Sequence, residues 1–245
     1  SPPEKMIAIF ADPVFGYGDD RWTGKSSQLE LTQKASLFVT SNGSSKEVLS
    51  EQLFPRISNT QIEAEAISKL IQPNEQFMKV GFAASRQAVL DPSIGQYRIL
   101  HFSTHGILDA ERPERSGMLL SVIDQQGGLQ RSLLSTPDTF NLNLTADLVV
   151  LSGCRTGLGK DIKGEGLIGL TGGLMYAGAR RVVVSLWSVD DQATAALMSH
   201  FYKGVLQEKL PPAQALRNAQ LEIRKNPRWQ SPFYWAGFIL QGEWK

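Results

Sequence analysis

Two apolar runs in this chain end abruptly in short strings of small and reactive residues. Residues 97–102 (Tyr-Arg-Ile-Leu-His-Phe) precede Ser-Thr-His-Gly, and residues 148–151 (Leu-Val-Val-Leu) precede Ser-Gly-Cys-Arg-Thr-Gly. Apolar runs of this length that stop at glycine-containing strings are typical of buried β-strands. If the two strands are parallel neighbours, His105 and Cys154 leave the sheet at the edge where open α/β sheets bind ligands.

The rest of the chain alternates between strand-like and helix-like patterns, which predicts a mainly parallel, doubly wound sheet. A hairpin is predicted where residues 118–123 and 129–133 flank Asp-Gln-Gln-Gly-Gly. The predicted strands lie at residues 6–10, 80–84, 97–103, 147–152, 181–187 and 233–240. The predicted helices lie at residues 60–70, with Thr60 as the cap, 166–177, 190–207 and 212–225, with a weak helix at 31–37 and a brief one ending at Leu90.

Composition sets the class of protein but not its activity. The chain has 245 residues, 42% of them apolar and 20% charged, as in ordinary globular proteins. A net charge of +1 gives no support for a nucleic-acid partner, and the absence of a long apolar run predicts no membrane partner. The single cysteine favours a reducing compartment, so we predict a cytoplasmic protein. A start at Ser-Pro-Pro rather than at methionine is interpreted as that of a fragment of a longer chain.

A thiol and an imidazole at neighbouring strand ends can form a nucleophile and its base. The glycines at 106, 153 and 157 leave backbone N–H groups accessible, and such groups can stabilise an oxyanion. His101, earlier in the same strand, is interpreted as a core histidine. Three histidines and one cysteine without ligand spacing predict no metal site. A Gly-x-Gly-x-x-G string begins at Gly164, too far past its strand for a dinucleotide site, so we predict no cofactor.

The histidine string, Ile-Leu-His-Phe-Ser-Thr-His-Gly at 99–106, resembles the histidine motif of the caspase-like CHAT domain, which is often fused to tetratricopeptide repeats. The string Leu-Val-Val-Leu-Ser-Gly-Cys-Arg-Thr-Gly at 148–157 resembles the cysteine motif of that family. Cys154 follows His105 by 49 residues, as in caspases. Further matches are Gly-Glu-Gly at 164–166, Val-Val-Ser-Leu-Trp-Ser-Val-Asp-Asp at 183–191 and Trp-Ala-Gly-Phe at 235–238.

The resemblance implies a three-layer α-β-α sandwich with about six mostly parallel strands and an added hairpin. It implies one CHAT peptidase domain over residues 1–245, with fewer matches in residues 1–60. The implied activity is that of a cysteine endopeptidase that cleaves a specific protein or peptide. Cys154 is the nucleophile, His105 the base and then the acid, and the N–H groups of Gly106 and Cys154 the oxyanion donors.

The resemblance leaves two questions open. The domain is either an active peptidase, regulated by a tetratricopeptide-repeat segment or partner, or a latent or silent module that acts as an interaction scaffold. Ser152 stands where caspases carry a glutamine that recognises aspartate, so a preference for aspartate is not implied. By likeness to separase, Asp191 lines a pocket for a basic residue. The other reading is that Asp190 or Asp191 only caps the following helix.

Overall fold

The computed structural model describes residues 3–24, 54–109, 112–153 and 165–244. The strands are β1 (Lys5–Pro13), β2 (Gln76–Gly81), β3 (Tyr97–Ser103), β4 (Gly106–Ile107), β5 (Gly117–Leu119), β6 (Leu133–Ser135), β7 (Leu148–Leu151), β8 (Arg181–Ser185) and β9 (Phe238–Gly242). The helices are α1 (Asn59–Ser68), α2 (Arg86–Val89), α3 (Thr136–Phe140), α4 (Glu165–Tyr176), α5 (Asp191–Leu206) and α6 (Pro212–Lys225).

Six strands form one sheet in the order β2-β1-β3-β7-β8-β9. Only β9 runs antiparallel to its neighbour, β8, and the other pairs are parallel. Strands β4, β5 and β6 form a small antiparallel sheet, so the predicted hairpin belongs to a three-stranded unit. The predicted α/β class and the mostly parallel six-stranded sheet are confirmed.

Side chains on the two faces of the sheet enter two separate apolar cores, because successive side chains of a strand point to opposite faces. Strand β3 illustrates this: Leu100 and Phe102 pack in one core, whereas Ile99 packs in the other. The first core is covered by α4 through its buried leucines, and the second by α1, α5 and α6. The strands that carry the two motifs are therefore buried on both faces, and their carboxyl ends lie in the middle of the sheet edge.

Several predicted elements differ from the observed ones. The second strand lies at Gln76–Gly81 rather than at 80–84, because a half-buried edge strand carries polar residues that mask its apolar run. The last strand begins at Phe238 rather than at 233, because Pro232 opens a 3-10 turn. Thr60 lies within α1 rather than capping it. The weak helix predicted at 31–37 lies outside the described residues.

Candidate active site

The two motif strands end side by side. Phe102 of β3 pairs with Leu151 of β7, and the ladder continues where the N–H of Ser152 donates to the Phe102 carbonyl at 2.9 Å. Beyond it, Gly153 lies so close to Thr104 that a Cβ would overlap the Thr104 backbone. Glycine is therefore the residue that allows the two strand ends to approach each other at this point.

His105 follows β3 and is packed in an aromatic environment. Its ring lies 4.9 Å from the Phe15 ring and 5.4 Å from the Phe54 ring, measured between centroids. The residue is only 2% exposed. Its Nε2 lies 2.8 Å from the carbonyl oxygen of Pro55, which comes from the segment before α1.

The Pro55 carbonyl determines which ring nitrogen of His105 carries the proton. A carbonyl oxygen can only accept a hydrogen bond, so Nε2 must be the protonated nitrogen in this contact. In the neutral ring, Nδ1 is then the nitrogen that can take up a proton. The contact with a backbone carbonyl thus gives the His105 ring a defined orientation.

Of the two predicted oxyanion donors, the structure places one. Gly106 follows His105 as the first residue of β4 and is paired with Met118 in the small sheet. Cys154, the predicted nucleophile and second donor, follows Gly153 in sequence and lies outside the described residues.

A cleft of about 230 Å³ opens at this edge of the sheet. It is lined by Pro55, Arg56, Ile57, His105, Gly153, Ser188, Val189 and Asp191. A larger depression, of about 440 Å³, lies on another surface around Arg86 and Arg131 and contains none of the motif residues. The smaller cleft is the one that concerns the predicted site, because it is lined by residues from both strand ends, His105 and Gly153, and by one of the two predicted acids, Asp191.

The two predicted substrate-pocket acids have different surroundings. Asp190 is the N-cap of α5, and its side chain accepts a hydrogen bond from the Ala193 N–H at 2.9 Å. Asp191 is exposed in the first turn of α5 and lines the cleft. Asp190 is therefore the helix cap, and Asp191 is the acid that lines the cleft.

Ser152 lies inside the protein rather than on the cleft wall. Its hydroxyl is fully buried and donates to Ser103 at 2.9 Å, and Ser103 in turn donates to Glu63 at 3.2 Å.

Glu63 also lies 2.8 Å from Nε2 of His101, whose Nδ1 is 3.0 Å from the Tyr202 hydroxyl. His101 is therefore a core histidine, as predicted. Burial, together with the Glu63 charge, raises the pKa of Tyr202 well above its ordinary value.

The positive charge of Arg56, a residue of the cleft wall, is balanced by two carboxylates of the protein. Its guanidinium forms a salt bridge with the buried Asp12 at 2.8 Å and with the exposed Asp20 at 3.0 Å. Its hydrogen bonds to Asp12 raise the pKa of Arg56 further. The basic group of the cleft is thus already paired within the protein.

The sequence did not point to three contributors to the site: Pro55, Phe15 and Phe54. Phe15 ends the Ala-Asp-Pro-Val-Phe string, whose first three residues belong to β1, and Phe54 and Pro55 belong to a Phe-Pro-Arg string. Each string combines a proline with an aromatic residue that lies outside regular elements. This combination was the signal available, and it does not reveal what the residues contact.

Within the ranges that the structure covers, no three His, Cys, Asp or Glu side chains group as metal ligands would. The helices among the same residues include none with the length and apolarity needed to cross a bilayer.

Comparison with known proteins agrees with this architecture. Residues 17–243 match the CHAT domain family. The chain is 35% identical to tetratricopeptide repeat protein 28 of Homo sapiens over 114 residues, which is 46% of this chain and 4% of that protein. It is 33% identical to the Mus musculus protein of the same name, again over 114 residues and 46% of this chain, with 5% of that protein covered. The chain thus matches only a small part of each relative, and since the family match spans nearly all of it, the chain belongs to the CHAT domain family.

Proposed function

We propose that this domain is a cysteine endopeptidase that acts through His105 and Cys154 on a protein or peptide substrate. The observation that carries the proposal is the fixed ring of His105, held by the Pro55 carbonyl in the cleft that Gly153 also lines. In the sequence, the proposed nucleophile, Cys154, is the next residue after Gly153.

The proposed reaction uses the two ring nitrogens of His105 differently. Nε2 keeps its proton on the Pro55 carbonyl, while Nδ1 takes the proton of the Cys154 thiol. The thiolate attacks the scissile carbonyl carbon, and the resulting oxyanion accepts hydrogen bonds from the N–H groups of Gly106 and Cys154. The intermediate expels the amine, which takes the proton from Nδ1, and water then hydrolyses the thioester with His105 again as base.

We propose that the cleft prefers a basic residue immediately before the scissile bond. Asp191 supplies an exposed carboxylate on the wall, and Arg56, the basic residue of the cleft, is already paired with Asp12 and Asp20. An acidic substrate side chain would have to displace these carboxylates and would be repelled by the negative charge of Asp191, whereas that charge attracts a basic side chain. Ser152 is buried below the cleft, so we assign it no direct contact with the substrate.

A second candidate is a latent or silent module that acts by binding other proteins. The near-complete burial of His105 favours it, because a peptide must reach a ring that is 2% exposed. The names of the two relatives refer to tetratricopeptide repeats. We propose that a repeat segment or partner of this kind regulates access to the site.

We further propose that residues 1–245 form a single domain in the cytoplasm. The family match over residues 17–243 supports the first statement, and the single cysteine supports the second. No cofactor or metal takes part in the proposed reaction.

The pH dependence of Cys154 alkylation tests the pairing of thiol and imidazole directly. A protonated His105 beside the thiol stabilises the thiolate, so the wild-type thiol is expected to titrate below about 8.5. His105→Ala is expected to move the thiol pKa upward, toward that value. The chain has one cysteine, so the alkylation signal has a single source.

His200→Ala is the matched control, because His200 lies exposed on α5 and does not line the cleft. Its alkylation profile is expected to equal that of the wild type. Identical profiles for the wild type and His105→Ala would contradict the proposed dyad. Cleavage of a peptide library by the wild type, and its loss in Cys154→Ala, would separate an active peptidase from a silent module.

A further inference from the structure

Asp12 carries a buried carboxylate at the edge of the sheet where β3 and β7 also end, and its backbone lies in the left-handed region. It lies near the end of β1 at φ 48°, where the register between β1 and β2 shifts. Its side chain is 1% exposed. A bulge of this kind re-aims a side chain, and a buried charge is stable only when it is well paired.

The main partner of this carboxylate is Arg56, through a two-pronged contact. Arg56 Nε donates to Asp12 Oδ1 at 3.0 Å, and Nη2 donates to Oδ2 at 2.8 Å. Arg21 adds a third hydrogen bond to Oδ2, also at 2.8 Å. Two parallel bonds from one guanidinium fix both the position and the orientation of the arginine.

The backbone of Asp12 holds the same segment at a second point. Its N–H donates to the Thr60 hydroxyl at 3.1 Å, and that hydroxyl donates to the Ile57 carbonyl at 2.7 Å. Residues 54–57 belong to no helix or strand, so they have no ladder of backbone bonds to hold them. The segment that carries Pro55 is therefore tied to β1 through Arg56 and Ile57, on the C-terminal side of the proline.

We propose that Asp12 is a positioning residue for His105, which it controls through Arg56 and the carbonyl of Pro55. Asp12 belongs to β1 and the ring of His105 follows β3, the neighbouring strand, so the contacts of Asp12 with residues 56–60 lie at the edge of the sheet beside the cleft. When these contacts are intact, the Pro55 carbonyl keeps the proton of the His105 ring on Nε2. When they are broken, the ring loses its fixed tautomer and its orientation toward the thiol. The inference deepens the proposed function and rests on it for its consequence in catalysis.

The tautomer of His105 can be measured without any activity, from the ring nitrogen shifts of the chain labelled with ¹⁵N-histidine. His105→Gln assigns the signal among the three histidines. We expect Nε2–H in the wild type and a mixture of the two tautomers in Asp12→Asn, which suits the left-handed backbone but lacks the charge. We also expect Cys154 alkylation at neutral pH to fall about tenfold or more, since small displacements of a base are costly.

Asp19→Asn is the matched control. Asp19 pairs with Arg21 at 2.5 Å, so its substitution removes one negative charge from the same group of acids and arginines without touching the bond between Asp12 and Arg56. Its tautomer and alkylation rate are expected to equal those of the wild type. If Asp12→Asn does not fold, Arg56→Lys keeps the charge, loses the fork and is expected to show the same mixed tautomer. A folded Asp12→Asn or Arg56→Lys with the wild-type tautomer would overturn the proposal.

The two proposals fail in different ways. If the wild type cleaves no peptide but Asp12→Asn still changes the tautomer, the positioning role is supported and the peptidase function is not. If the wild type cleaves peptides and the tautomer is the same in Asp12→Asn, the positioning role alone is overturned.

Discussion

At the scale of single residues, the two adjacent acids at the start of α5 have different neighbours. Asp190 bonds the Ala193 N–H, which satisfies one of the N–H groups that a helix start leaves without a partner. Asp191, one residue on, lies on the cleft wall. Of these two consecutive residues, Asp190 caps the helix and Asp191 lines the cleft, so substitutions of each can be compared with each other.

We expect Asp191→Asn to lower kcat/KM for substrates with a basic residue before the scissile bond by about tenfold, or about 1.4 kcal/mol. Asp190→Ala is expected to lower the free energy of unfolding by about 1 kcal/mol through the lost cap, with the cleavage preference unchanged. Peptide-library cleavage and urea unfolding of both variants measure the two effects. The reverse pattern, with Asp190 controlling preference, would contradict the assignment.

The Pro55 contact shows why part of the site could not be predicted from residue types. His105 was found because a histidine after an apolar strand is conspicuous. Pro55 contributes a backbone carbonyl, which every residue has, so its identity carries no signal. Its proximity to His105 depends on the path of the chain over 50 residues, which local patterns do not encode.

At the scale of elements, the approach of the ends of β3 and β7 depends on the absence of a side chain at Gly153. The overlap of a Cβ with the Thr104 backbone involves main-chain atoms, which cannot rotate away as a flexible side chain can. The two strand ends would have to move apart, and the cleft that both of them line would change with them.

We expect Gly153→Ala to destabilise the fold by about 1–3 kcal/mol through this overlap. Gly172→Ala is the control, because a Cβ there meets nothing within 4 Å and the residue is exposed on the outer face of α4. The control is expected to be stabilised by about 0.5–1 kcal/mol, as for alanine in a helix. Urea unfolding of both variants measures the difference, and equal stability of the two would show that the strand ends do not constrain this position.

Prediction of elements succeeded where pattern and boundary signals agreed. Strand β3 and helix α6 have the predicted bounds: β3 is buried almost throughout, and Pro212 marks the helix start. Prediction failed at the two sheet edges, β2 and β9, which are only partly buried. An edge strand has weaker burial and therefore a weaker apolar pattern, so its bounds are set by tertiary contacts that the sequence pattern does not contain.

At the scale of the whole molecule, two partly buried carboxylates are held by arginines. Asp138 pairs at 2.6 Å with Arg86, which lies 52 residues earlier, and so ties two separate segments together, whereas Asp19 pairs locally with Arg21. Burial raises the pKa of Asp138, but the hydrogen bonds from Arg86 and Ser135 outweigh burial and bring the pKa below its ordinary value. The pKa of Asp19 is lowered in the same way by Arg21.

A pKa that is lower in the folded state gives stability that is present above the unfolded pKa, near 3.9, and is lost as the pH falls through the folded pKa. We therefore expect the free energy of unfolding to fall below about pH 4. Asp138→Asn is expected to be less stable at neutral pH and to lose less on acidification. Urea unfolding across the acid range measures both slopes, and an unchanged slope in the variant would contradict the role of Asp138.

The surroundings of His105 come from distant parts of the chain: Phe15 near the start, Pro55 some 50 residues before the histidine, and Gly153 some 50 residues after it. A ribosome releases these parts one after another. A growing chain that has exposed His105 but not yet Gly153 and Asp191 holds a histidine without the residues that line the rest of its cleft. The cleft is therefore complete only when residue 191 of the 245 has been synthesised, so the chemistry that we propose for this edge is withheld until then.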